Sequence, residues 1–202
     1  GMTPEMEKQL EEKMIKAFEK TYILDFNKTE SVFTEEVKLD VGKPTSGIAV
    51  KMSNAGKKYK NTKEKIEISE EDGLGKEFLV TDSLKKWDWK LENETKKIGN
   101  YVCHKAVAVI PVTAEEIAEY EAQKKEKSEG KTTFFSMSEP KEEIITVWYT
   151  PEIPVSHGPE NYWGLPGLIL EASNGSTVFL CSKIVLNPKQ KSTVKRPTKG
   201  KK

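Results

Sequence analysis

A change of hydrophobic period near residue 21 constrains this chain more than any other feature. Before it, Met6, Leu10, Met14, Ala17 and Phe18 recur every three or four residues, the spacing of one helix face. Thr3 is placed to cap that helix, Pro4 suits its first position, and Glu5 and Glu7 suit the positive end of its dipole. The spacing predicts an amphipathic helix over residues 3–21, packed on a sheet by its apolar stripe. From Tyr22 onward the period is two, the spacing of a half-buried strand.

Strands are expected at 22–26, 30–37, 47–52, 77–81, 98–112, 142–150, 168–172 and 177–186. Residues 57–69 read as a charged strand or hairpin, and Trp87, Trp89 and Leu91 fall on one face of a strand over 87–91. Turn chemistry separates these runs at Asn27-Lys28, Gly42-Lys-Pro44 and Asp72-Gly-Leu-Gly75, and Asn174-Gly175 is the strongest hairpin signal. Only residues 113–128 interrupt the pattern: Thr113 caps Glu115 and Glu116, and Ile117, Tyr120 and Lys124 follow at helical spacing. Because strands and helices do not alternate, a doubly wound parallel sheet is excluded in favour of α+β. The expected architecture is a curved, half-barrel-like antiparallel sheet of about eight strands, with the N-terminal amphipathic helix and the short helical insertion. A single domain is expected over 1–188 and a basic, flexible tail over 189–202.

Charge narrows the choice of partner. The net charge of +1 conceals seven basic residues and no acid after Leu186, against 26 basic and 32 acidic residues in the rest. A mildly acidic body with a basic tail that lacks aromatics does not resemble a nucleic-acid-binding face. No run approaches the length needed to span a bilayer as a helix.

Catalytic candidates are few. Ser156-His157 and Cys103-His104 are adjacent in sequence, and strand alternation sends neighbours to opposite faces. Cys103, His104, His157 and Cys181 lack metal-ligand spacing, and Gly73-Leu-Gly75 lacks the lysine of a phosphate loop. No metal, cofactor or catalytic residue is therefore assigned. His157 with Glu152 or Glu160 is the residual acid–base alternative, which would make the chain a hydrolase. Cys103 and Cys181 are either buried thiols behaving as small hydrophobes or, in an oxidising compartment, a disulfide if their Cα atoms lie within about 7 Å.

The densest segment runs from Trp148 to Ile169. Pro151, Pro154, Pro159 and Pro166 fix φ, while Gly158, Gly164 and Gly167 allow tight turns or close backbone approach. Leu165-Pro166-Gly167 fits a type II turn. A stiff loop of this kind either plugs the end of a sheet or presents a preformed apolar surface to a ligand or partner. Trp148, His157, Tyr162, Trp163 and Leu165 are the candidate binding residues.

Trp148-Tyr-Thr-Pro-Glu-Ile-Pro154, His157-Gly-Pro-Glu160 and Gly164-Leu-Pro-Gly-Leu-Ile169 closely resemble the GLPGLI family, named for its hexapeptide. Ile23-Leu-Asp-Phe-Asn27 with Glu30-Ser31, and Lys96-Lys-Ile-Gly-Asn-Tyr-Val-Cys-His-Lys-Ala106, are similar to it as well, so the resemblance spans about residues 21–188. It implies a secreted or periplasmic protein of the cell envelope of Bacteroidetes-type bacteria, made with a cleaved signal peptide absent from this chain. The family has no established activity, so the resemblance assigns no catalytic residue. The expected function is non-enzymatic binding of an envelope protein or a lipid-like apolar ligand through the sheet concavity and the 148–169 loop. The other alternative is a structural domain whose loop only plugs the sheet.

Overall fold

A computed structural model describes residues 5, 6, 8, 19–36, 56–73, 76–128, 138–189 and 194–198. The helix expected over 3–21 lies outside the described residues apart from Glu5, Met6, Lys8 and the non-helical residues 19–21, and the strand expected over 47–52 lies wholly outside them. The chain divides into two compact units, Lys85–Lys189 and the remainder, and each is described by itself.

In the first unit, β1 (Tyr22–Phe26), β2 (Glu30–Glu35), β3 (Lys58–Asn61), β4 (Ile66–Gly73) and β5 (Lys76–Ser83) form an antiparallel sheet in chain order. Short-range polar chemistry sets its corners. Asn27 Oδ1 accepts from the backbone N–H groups of Thr29 and Glu30 at 2.9 and 2.8 Å, which turns β1 into β2. Asn61 Oδ1 does the same for Lys63 and Glu64 between β3 and β4, and Lys65 completes that turn in the left-handed region at φ 56. Both faces of this sheet are buried near its centre. Tyr59 and Ile68 lie on one, and Ser31, Phe33 and Lys60 on the other. Tyr22 stacks on Phe33 with ring centroids 4.8 Å apart.

In the second unit, β6 (Lys90–Ile98), β7 (Tyr101–Ile110), β8 (Glu143–Thr150), β9 (Leu168–Ser173) and β10 (Val178–Leu180) form a second antiparallel sheet, again in chain order. The helical insertion is α1 (Ala114–Ser128), between β7 and β8. Its cap is reciprocal: Glu116 N–H donates to Thr113 Oγ1 at 3.2 Å, and Thr113 N–H to Glu116 Oε2 at 2.8 Å. Where the sequence suggested one sheet of about eight strands, the described residues thus form two of five, neither closed. Each hairpin signal is local and specifies its own pair, and none specifies where a sheet stops.

The core of the second sheet lies on one face. Ala106 and Ala108 of β7, Ile145, Val147 and Tyr149 of β8, and Ile169 and Ala172 of β9 form it, with Tyr162 and Leu165 from the 151–167 loop. Trp87, Trp89, Ile110 and Phe179 pack around them. Small alanines in the middle strands let the larger side chains seat above them, as close packing requires. Trp87 and Trp89 precede β6 rather than belonging to it, and Leu91 is exposed, so the expected three-residue strand face does not form. The register slips between Trp148 and Tyr149, which leaves Leu170 as an extra residue on β9.

Candidate functional site

The 151–167 loop leaves and re-enters the sheet at paired positions, since Thr150 and Leu168 are register partners. Its ends being adjacent, it behaves as an Ω-type loop, packed by its own side chains. Ile153 O accepts from Leu168 N–H at 3.0 Å and His157 O from Ile169 N–H at 2.9 Å, so the loop runs along the start of β9. Ser156 Oγ accepts from Gly164 N–H at 3.0 Å and draws the loop across itself. Gly164 adopts φ 98, which favours glycine. At Gly167 a Cβ would sit 2.2 Å from Thr150 O, so only glycine lets these two backbone segments meet.

Three indoles pin this loop to the segment ahead of β6. Trp87 Nε1 donates to Asn161 O at 2.9 Å, Trp89 Nε1 to Trp163 O at 2.8 Å, and Trp163 Nε1 to Lys85 O at 2.7 Å. Trp87 stacks on Trp89, both centroid separations from Trp87 to Trp89 and to Tyr162 being 5.2 Å, and Lys85 Nζ lies 4.3 Å over the Trp87 ring. Each of these indoles has its hydrogen-bond partner, as the size and single donor of the ring demand. Leu165 is 2% exposed and Tyr162 is buried beside it, with burial raising the Tyr162 hydroxyl pKa. The loop therefore fills the core of this unit with its apolar side chains.

The candidate binding residues accordingly separate. Tyr162 and Leu165 face the core, Trp163 is half-buried, and His157 is fully buried. Trp148 stands on the opposite sheet face, because strand alternation sets it against its core-facing neighbours Val147 and Tyr149. Among the acid–base candidates, the Glu152 carboxylate accepts from Val102 N–H at 2.9 Å, capping β7 beyond the end of β8. Glu160 holds a left-handed backbone at φ 48.

Cys103 and Cys181 are free thiols. Two strands, β8 and β9, separate them, which sets them about 14 Å apart at ordinary strand spacing and beyond reach of a disulfide. Burial raises the pKa of both.

On the outer face, Trp148 belongs to a group that the sequence did not point to. Lys96 Nζ reaches from β6 to both Glu171 carboxylate oxygens at 2.7 Å and lies 4.3 Å over the Trp148 ring. Beside it, Lys105 pairs with Glu92 and Glu94 at 2.9 and 2.8 Å. Hydrogen bonds to Glu94 and then Glu92 raise the Lys105 pKa, and Lys105 lowers that of Glu94. The register places Lys105, Trp148, Glu171 and Leu180 in one cross-strand row, with Val107, Thr146, Ser173 and Val178 in the next and Val109 opposite Ile144 beyond. Val109, Ile144, Val178 and Leu180 are exposed. Lysines and glutamates are too common in this chain for Lys96 and Glu171 to have stood out; only pairing across four strands brings them together.

Among the described residues no group of three or more His, Cys, Asp or Glu side chains is arranged to hold a metal, and no helix is long and apolar enough to cross a membrane. Residues 89–171, from Trp89 to Glu171, match a family model described as "Protein of unknown function (Porph_ging)". That match takes in both the pinned loop and the Lys96–Trp148–Glu171 group. No curated protein matches the chain.

Proposed function

We propose that this chain is a non-catalytic binding protein of the cell envelope, secreted or periplasmic, which takes up a protein partner or an apolar ligand. The observation that carries this reading is the outer face of the second sheet. There a half-buried Trp148 is held by the Lys96–Glu171 pair, with Val109, Ile144, Val178 and Leu180 exposed around it. Aliphatic side chains displayed together on a regular sheet are the kind of surface that partners cover. An aromatic ring fixed by a cation on one side contributes contact area at little entropic cost. The envelope assignment rests on the resemblance of residues 148–169 to the GLPGLI family.

The loop supports this function indirectly. Its apolar residues are committed to the core, so it is the plug that stiffens the sheet rather than the contact surface. The hydrolase alternative has less support, since His157 is fully buried and Glu152 is engaged with Val102 N–H.

The test is affinity capture from an envelope extract of the source organism, followed by identification of bound proteins and lipids. Ile144→Glu with Leu180→Glu places two charges on exposed positions and should abolish what the wild-type protein retains. Retention of the same set by a folded double variant would overturn the assignment of this face.

A further inference from the structure

Sheet edges present unpaired backbone groups, and folded chains usually blunt them. The second sheet does so at both ends. β6 carries Lys90, Glu92, Glu94, Lys96 and Lys97 and has an irregular register, and β10 is only 3 residues long. In the first sheet, β1 is 5 residues long. β5 is charged only near its ends. It runs 8 residues in unbroken register with β4, contains no proline, and among the described residues has β4 as its only strand neighbour. Its middle, Phe78-Leu79-Val80-Thr81, is uncharged, and Phe78 and Val80 are 38% and 45% exposed.

The hydrogen-bond parity of β5 restricts what can add to that edge. Leu84 N–H donates to Lys65 O at 2.9 Å, so even-numbered residues direct their backbone groups toward β4. Glu77, Leu79, Thr81 and Ser83 therefore direct theirs outward. An antiparallel copy of β5 can pair only in registers that set odd residues opposite odd residues. Centred on Leu79, this register sets Phe78 opposite Val80, twice by symmetry. A shift of two residues in total register sets Phe78 against Asp82 or against a second Phe78.

We propose that β5 is a self-association edge, through which two copies of this chain join antiparallel about Leu79 into a sheet continuous across both. The two-fold symmetric contact is self-complementary in apolar contact, as an isologous interface must be. Main-chain bonds supply its adhesion, and the Phe78–Val80 pairs supply its register.

Sedimentation velocity on the full chain across a concentration series should show a reversible monomer–dimer equilibrium. Val80→Lys, at an exposed position, should raise the dissociation constant by about tenfold or more, with an unchanged far-UV circular dichroism spectrum. Register is tested in a Cys181→Ser background with Phe78→Cys and Val80→Cys made as two separate proteins. Mixed and mildly oxidised above the dissociation constant, they should give a covalent heterodimer, while each alone should give little. A chain that stays monomeric at several hundred micromolar overturns the proposal. So does Val80→Lys dimerising as tightly as wild type, or Phe78→Cys cross-linking to itself as well as to Val80→Cys.

Discussion

The two sheets share one topology, five antiparallel strands in chain order, and are stabilised by different means. The first buries polar groups among its apolar ones: Ser31, Lys60 and Asn61 are buried alongside Phe33, Tyr59 and Ile68. Its corners are held by Asn27 and Asn61, and the Tyr59 hydroxyl donates to the Glu30 carboxylate. The second has a core cluster of alanine, aliphatic and tyrosine side chains, completed by a loop that three indoles hold in place. The first sheet is cornered by side-chain hydrogen bonds, one of them to a carboxylate, which pH can disturb. The other depends on shape, which volume can disturb.

Substitutions that act on shape should have the largest effects. Gly167→Ala forces a Cβ against Thr150 O and the Pro151 nitrogen, and backbone cannot give way as a side-chain tip can. It should destabilise the second unit by about 4 kcal/mol or more, read by chemical denaturation or as loss of soluble protein. Leu165→Ala empties the centre of the loop's contribution and should cost about 3 kcal/mol. Equal stability of that variant would mean that the loop is not part of the core. Trp89→Phe keeps most of the ring but leaves Trp163 O without its indole donor, so about 1 kcal/mol should be lost. Amide exchange should quicken around Trp163 in that variant, and unchanged exchange there would break the pinning argument.

The polar sheet should respond to acid. Hydrogen bonds from Tyr59 and then Asn27 lower the Glu30 pKa below its ordinary value of 4.5. A carboxylate depressed on folding stabilises the fold above its unfolded pKa, and that contribution disappears as pH falls through the folded value. Glu30→Gln should therefore lower the melting temperature at pH 7 by about a degree or two, and the gap should close below the folded pKa. A gap that persists at the acid end would assign the effect to packing. Smallest of all, both cysteines should react slowly with a thiol reagent at neutral pH. Cys181, the less buried, should react first, because burial disfavours both thiolates.

The division into two sheets was not legible in the sequence, but many of the elements were, one at a time. Tyr22–Phe26 and Glu143–Thr150 follow their alternation closely, and Thr113 with Glu116 announced α1 at its first residue. Asn174-Gly175 marked the β9–β10 turn, although the connection spans 174–177, with Asn174 Oδ1 accepting from Ser176 and Thr177 N–H groups. β6 was not legible: Lys90–Ile98 is mostly charged, it has one strand neighbour among the described residues, and no apolar alternation distinguishes it from a loop. The stiffness of the 151–167 loop could be read from its prolines, but its direction could not. Whether Trp163 and Leu165 face solvent or core depends on carbonyls and indoles 74 to 78 residues away.

That separation bears on how the second unit reaches its final form. β7 and β8, or β9 and β10, can meet through nearer connections, whereas the three indole contacts form only after the 85–89 segment and the returning loop have both arrived. Contacts of such long sequence separation carry a large entropic cost before they give any return, and tend to form late. Locking of the loop is thus expected to be a closing event in folding. Because three tryptophans exchange solvent for carbonyl partners in that event, their emission would time it without any added label.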